Sequence, residues 1–183
     1  MITKKRATIE DLYRVSENGK VEIVNGELIL TGPTGALSSR AGGRIYASLL
    51  NHEEEVGGGY AFPDNVGFVV NLPNRLTFSP DTAWYTGSVI DMKFVDGAPA
   101  FAVEVRSEGD YGPAVEKAIA DKIADYFAAG TKVVWDVDLL SEAVIKSFDR
   151  SKPAEPTIYR QGDSANAEPA VPGWTILVNR VLK

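Results

Sequence analysis

Ala100-Phe101-Ala102-Val103-Glu104-Val105-Arg106 is the stretch on which the fold turns. Its apolar run has the length of one strand, and its position between further strand and helix patterns makes it the predicted central strand of a sheet. Side chains alternate across a strand, so Phe101, Val103 and Val105 share one face and Glu104 points to the other. In a central strand that second face is covered too. A carboxylate there is costly unless it meets a cation or a metal.

Working outward, residues 66–70 read as a strand, Asn71-Leu72-Pro73-Asn74 as a turn, and Leu76-Thr77-Phe78 as the lead into a second strand over residues 79–85. Pro80 cannot donate to a ladder, so this strand is expected to break at Ser79-Pro80-Asp81 and to aim Asp81 at a neighbour. On the other side a helix is predicted over residues 113–129, with Pro113 in its first turn and Gly130 at its stop. At about 100° per residue, Ile119, Lys122 and Tyr126 fall within about 40° of Val115, which puts Lys122 in the core-facing stripe. Two readings stand for Lys122. Its stem packs while its ammonium reaches water, or the ammonium points at Glu104 and Asp81. Residues 132–138 and 142–148 form a predicted strand pair.

Nearer the N-terminus, Thr8 with Asp11 caps a short helix over residues 9–15, which residues 16–19 stop. Val21-Glu22-Ile23-Val24 and Glu27-Leu28-Ile29-Leu30 flank Asn25-Gly26, the strongest short hairpin signal. A two-residue turn sets Val21, Ile23, Leu28 and Leu30 on one face and Glu22 and Glu27 on the other, either solvated or reaching a site. A helix over residues 38–55 carries the stripe Leu37, Ala41, Ile45, Leu49 and His52, with His52 read as a packing or helix-end residue. Residues 149–172 read as a loop with one short strand near Ile158-Tyr159, and residues 174–178 close the chain in extended form.

The chain has 183 residues and no obvious internal boundary, which predicts one domain over residues 1–183, mixed α/β or α+β. With 0 cysteines and 1 histidine, thiol nucleophiles, thiolate metal sites and multi-histidine centres are excluded. The net charge of -6 argues against whole-molecule attraction to nucleic acid, although Arg40, Arg44, Arg75 and Arg106 are candidates to line a local basic cleft. No run approaches the ~18 apolar residues of a spanning helix, so the expectation is a cytoplasmic protein with no membrane partner. Two acids and a lysine meeting over a sheet are a kit for metal-assisted phosphoryl chemistry, because carboxylates suit magnesium or manganese and a lysine stabilises charge at the phosphate.

The ordered set Glu22-Ile23-Val24-Asn25-Gly26-Glu27-Leu28, Ser79-Pro80-Asp81, Val103-Glu104-Val105-Arg106-Ser107, Lys122-Ile123-Ala124-Asp125-Tyr126 with Gly130, and Val134-Trp135-Asp136-Val137-Asp138 resembles the Uma family of the PD-(D/E)XK nuclease superfamily. The resemblance implies a restriction-endonuclease-like mixed central sheet flanked by helices, with an N-terminal β-hairpin. It implies a Mg2+- or Mn2+-dependent endonuclease acting on DNA, with Asp81, Glu104 and Lys122 as catalytic residues and Asp81 and Glu104 as metal ligands. Glu22, or failing it Glu27, is an additional acid near the metal. The superfamily lysine normally follows two residues after the second acid, where this chain has Arg106, so Arg106 is the rival to Lys122. Relatives often carry a histidine before the helix that starts near Ser38, and this chain has Ser38-Ser39-Arg40 there. The alternative is a non-catalytic, dimeric binding module on the same fold, with Trp84, Tyr85, Trp135 and Trp174 at an interface if they are not core residues.

Overall fold

The computed structural model describes residues 6–15, 19–88 and 91–183. The predicted helix stop at residues 16–18 therefore lies outside the described residues. The first element is the helix Ile9–Val15 (α1), capped as expected: the Thr8 backbone N–H donates to Asp11 Oδ2 at 3.0 Å, and the Asp11 N–H returns to Thr8 Oγ1 at 3.2 Å. Strands Lys20–Val24 (β1) and Glu27–Thr31 (β2) pair with Val24 opposite Glu27 and Glu22 opposite Ile29. Asn25 and Gly26 take φ of 52° and 78°, the two positive values that a tight hairpin turn requires.

The centre of the molecule is a sheet of six strands. Its members are Tyr60–Phe62 (β3), Thr82–Tyr85 (β6), Phe101–Val105 (β8), Val133–Val137 (β9), Ile145–Asp149 (β10) and Thr157–Tyr159 (β11). They lie in the order β11-β10-β9-β8-β6-β3, with β8 and β9 parallel and every other pair antiparallel. The strand around Glu104 is thus central, as its apolar run predicted. A three-stranded sheet, Phe68–Val69 (β4), Thr77–Phe78 (β5) and Val95–Asp96 (β7), sits beside it, and β1 joins that sheet through a Val24–Arg75 bridge and an Ile23 N–H to Thr77 Oγ1 bond of 2.8 Å.

The two faces of β8 serve different cores. Phe101, Val103 and Val105 pack with Ala41, Ile45 and Leu49 of the helix Ala36–Glu55 (α2), and with Trp84, Trp135 and Trp174. Ala102, on the other face, packs with Ile123 and Tyr126 of the helix Pro113–Ala129 (α3), with Val134, and with Phe68 and Phe78 of the small sheet. Each fully buried side chain of this kind contributes about 1.5–3 kcal/mol relative to exposure. All four aromatics offered as interface residues, Trp84, Tyr85, Trp135 and Trp174, are buried, so they are core residues. Leu37 departs from its predicted stripe and is 65% exposed, because Ser38 turns inward in its place.

The C-terminal part holds more structure than its composition suggested. Ser164–Asn166 (β12) pairs with Thr175–Leu177 (β13), and Val178–Leu182 (α4) packs on α2. No helix among the described residues is long and apolar enough to cross a membrane.

Candidate active site

The site grows from the break at Pro80. β5 ends at Phe78 and β6 begins at Thr82, and the gap carries Asp81. The Asp81 backbone N–H donates to the Val103 carbonyl at 3.0 Å, and the Val105 N–H donates to Asp81 Oδ2 at 2.7 Å. The side chain thus supplies an acceptor where the proline has interrupted the ladder. The regular ladder begins only at Thr82, opposite Val103, but the bonds to the Val103 carbonyl and the Val105 N–H hold Asp81 beside the residue between them, Glu104. A repulsive acid pair alone would make loss of Asp81 neutral for the fold. Its bonds to Val105 and to Lys20 make it an anchor as well.

α3 crosses this point with its apolar stripe inward. Lys122 Nζ lies 2.9 Å from the Glu104 carboxylate and 3.0 Å from Glu22 Oε1. The ammonium faces inward and meets Glu104 as expected, but its second partner is Glu22; Asp81, the other acid expected, is held by Lys20 instead. One turn on, the Tyr126 hydroxyl donates to Glu104 Oε1 at 2.6 Å while its ring stacks on Phe78 at 3.9 Å between centroids. Glu22 comes from the hairpin. Its Oε1 also accepts the Ser79 N–H at 2.9 Å, and its Oε2 meets Arg75 Nη1 at 2.6 Å. Arg75 in turn holds Asp125 at 2.9 Å and covers the Phe78 ring.

β1 presents a second residue on the face that carries Glu22, two positions earlier. Lys20 Nζ lies 2.6 Å from Asp81 Oδ1 and 2.9 Å from Asp64 Oδ1. Asp64, Lys20 and Asp81 thus form one chain of ion pairs, and Glu104, Lys122, Glu22, Arg75 and Asp125 form a second beside it. Five carboxylates against three cations leave an excess of two negative charges.

The protonation equilibria follow this arrangement. Burial pushes the Glu104 carboxyl above its usual range; Lys122 opposes the shift and the nearby Asp81 adds to it. Burial would raise Glu22 as well, but Lys122 and Arg75, with the Ser79 N–H, hold it below that range. Burial alone would lower Lys20 and Lys122; Asp81 and Glu104 raise Lys20, and Glu104 and Glu22 raise Lys122. Burial, then Glu104, lifts the Tyr126 phenol well above its ordinary value.

Other sequence candidates lie elsewhere. Arg106 is buried in a separate ionic cluster. Its Nε and Nη2 grip Asp136 at 2.8 and 2.7 Å, and its fork also holds Glu116. Glu27 is exposed at the hairpin tip and lines a shallow groove with Arg6, Asp11 and Arg14. The expected cleft of arginines does not form. Arg75 and Arg106 are buried in ion pairs, while Arg40 and Arg44 donate to the carbonyls of Lys183 and Arg180. His52 packs beside Trp84, with ring centroids 5.8 Å apart. Ser38 is buried and donates to the Arg106 carbonyl at 2.8 Å. Gly42, one turn on, faces Asp81, and a Cβ there would make an ordinary 3.6 Å contact with the Asp81 Cβ. A cavity of about 150 Å³ opens beside Asp81, with Ser38, Ser39, Tyr46 and Asp64 in its wall.

Lys20 and Tyr126 were not legible as site members, and Arg75 was expected only as a cleft cation. Only Tyr126 carried a signal, its place on the Lys122 stripe. Among the described residues no three acidic, histidine or cysteine side chains form a ready cation cage. The donor chemistry of Asp81 with Glu104 still fits magnesium, which retains several waters and commonly takes one or two carboxylates.

The curated proteins contain no match to this sequence. Among solved structures the chain is similar to one described as a "putative nuclease belonging to DUF820" from Anabaena variabilis. The identity is 13%, the match covers 96% of this chain and 97% of that one, and the TM-score is 0.74, so the two share a fold. The profile of the family Uma2, described as "Putative restriction endonuclease", matches residues 7–179. With the hairpin, the broken strand, the central Glu104 strand and α3 all inside that span, the chain belongs to the Uma2 family.

Proposed function

We propose that this chain is a divalent-metal-dependent nuclease that hydrolyses phosphodiester bonds in DNA. The observation that carries the reading is Asp81 held by bonds to Val103 and Val105 on either side of Glu104, with Lys122 Nζ 2.9 Å from Glu104. Family membership and the shared nuclease-type fold support it. Asp81 and Glu104 would hold Mg2+ or Mn2+, which supplies Lewis-acid polarisation of the phosphate and a more acidic water. The rest is the work of the chain's own groups. Lys122, kept protonated by Glu104 and Glu22, offers a fixed positive charge to the phosphoryl oxygens as charge builds on them. Tyr126 and Lys122 fix the Glu104 carboxylate by hydrogen bonds, so its orientation is set before substrate arrives. Glu22 positions Lys122 from the opposite side.

The test is incubation of the purified chain with supercoiled plasmid and, separately, with a small phosphodiester, each with Mg2+, Mn2+ or EDTA. Nicking or linearisation of the plasmid in metal alone is the expected result. Turnover of the small ester without plasmid cleavage would replace DNA by a small substrate.

A second reading, a non-catalytic and dimeric binding module, draws on the burial of Arg75 and Arg106, which removes two cations from any duplex-facing cleft. An inert chain with a stable dimer mass would favour it.

A further inference from the structure

The lysine at the start of the hairpin occupies an unusual place. Lys20 Nζ lies 2.6 Å from Asp81 Oδ1, and Lys20 also feels the charge of Glu104. Its side chain is 15% exposed and that of Asp81 is 19% exposed, so the contact is largely shielded from water. A surface lysine at a strand end would gain little from such a pair. This one is delivered by strand geometry: residues two apart share a face, so the hairpin that sends Glu22 to Lys122 also sends Lys20 to Asp81. Asp81 is one of the two acids assigned to the metal in the proposed function, and its other oxygen is already committed to the Val105 N–H at 2.7 Å. Lys20 therefore covers the oxygen that carries no backbone bond, the freer of the two for a cation.

We infer that Lys20 is a built-in counter-cation that neutralises Asp81 in the metal-free protein and leaves Asp81 when a divalent ion binds. This rests on the metal-site reading above. Asp64 gives the mechanism its second position. It lies 2.9 Å from the same ammonium, and its side chain is 48% exposed. On release from Asp81 the lysine has an acceptor at the rim and swings outward without losing every partner. The arrangement keeps the acid pair from repelling in the free protein and makes metal affinity a competition between an internal and an external cation.

The experiment uses the full chain without nucleic acid. Mn2+ titration calorimetry compares wild type, Lys20→Met and Asp81→Asn. Methionine keeps the stem packed and removes the competing charge, so Lys20→Met should bind Mn2+ about tenfold tighter, the gain expected when a partly buried pair no longer has to be broken. Acylation of wild-type lysines, mapped by peptide mass, gives an independent readout. Lys20 should be protected in EDTA and become severalfold more reactive in saturating Mn2+. Equal or weaker Mn2+ binding by Lys20→Met, with binding still lost in Asp81→Asn, would overturn the inference and leave the metal site intact. Unchanged Lys20 reactivity on metal binding would overturn it in the same way. No Mn2+ binding by wild type or Lys20→Met would overturn both the inference and the metal-site reading.

Discussion

Replacing Lys122 by methionine removes the one ammonium shared by Glu104 and Glu22, and its cost should depend on pH in a defined direction. The ammonium stands 2.9 Å from one carboxylate and 3.0 Å from the other. At an effective dielectric of about 20, each contact is worth roughly 5 kcal/mol of gross Coulomb energy. Most of that is offset by desolvation of three charged groups, and breaking one buried pair by truncation typically costs about 3–5 kcal/mol net. Lys122 and Glu104 side chains are 23% and 24% exposed, so solvent screening brings the cost just below that range, to about 2–3 kcal/mol near pH 8.

The pH dependence follows from the two acids. In the wild type, Glu22 is held below the usual carboxylate range, so its contribution is present above that range and is lost as pH falls through its depressed folded value. Glu104 is already raised, mainly by burial, and losing Lys122 raises it further. Its ionisation then destabilises the fold at high pH, and protonation relieves the strain as pH falls. The deficit of Lys122→Met should therefore be smaller near pH 5 than near pH 8. Urea unfolding in EDTA at both pH values measures it. Adding Glu104→Gln, which removes the uncompensated charge and keeps an oxygen for the Tyr126 hydroxyl, should recover more than half of the loss at the higher pH. A pH-independent deficit, or one under about 0.5 kcal/mol near pH 8, would refute the reasoning.

Arg106→Lys should destabilise the fold by about 2 kcal/mol in urea unfolding while leaving Mn2+ affinity unchanged, because an ammonium cannot replace the fork on Asp136 and Glu116. Gly43→Ala should raise stability by about 0.5–1 kcal/mol in thermal melts, since the residue is exposed inside α2 and a Cβ there meets nothing within 4 Å. Lys122→Met should also lose most DNA cleavage while retaining Mn2+ binding by calorimetry. Wild-type rates in that variant, with Arg106→Ala inactive, would return the lysine's role to Arg106.

Features written in local chemistry were legible in the sequence. Asn25-Gly26 set the hairpin and its register, Pro113 and Gly130 bounded α3, and one acid in an apolar strand marked Glu104. Lys122 was visible because helical spacing put a charge on an apolar stripe. Lys20 was not, because its partner Asp81 is 61 positions away and a lysine beside a turn reads as solvated. Arg75 and Arg106 were misplaced for the same reason: a cleft cation and a buried cation look alike until their carboxylates, 53 and 30 positions distant, are brought to them. β12 and α4 escaped because Ser164–Asn166 has three residues and Val178–Leu182 five, too short to show a period against a polar background.

The decisive measurement is single-turnover cleavage of plasmid DNA by wild type and Asp81→Asn, in saturating Mn2+ and in EDTA. Asparagine keeps an oxygen for the Val105 N–H, so the variant should remain folded by circular dichroism. The account predicts cleavage by wild type in metal, none in EDTA, and a loss of at least about a hundredfold in Asp81→Asn. Wild-type cleavage rates from folded Asp81→Asn, or an inert wild type with every divalent ion, would contradict it.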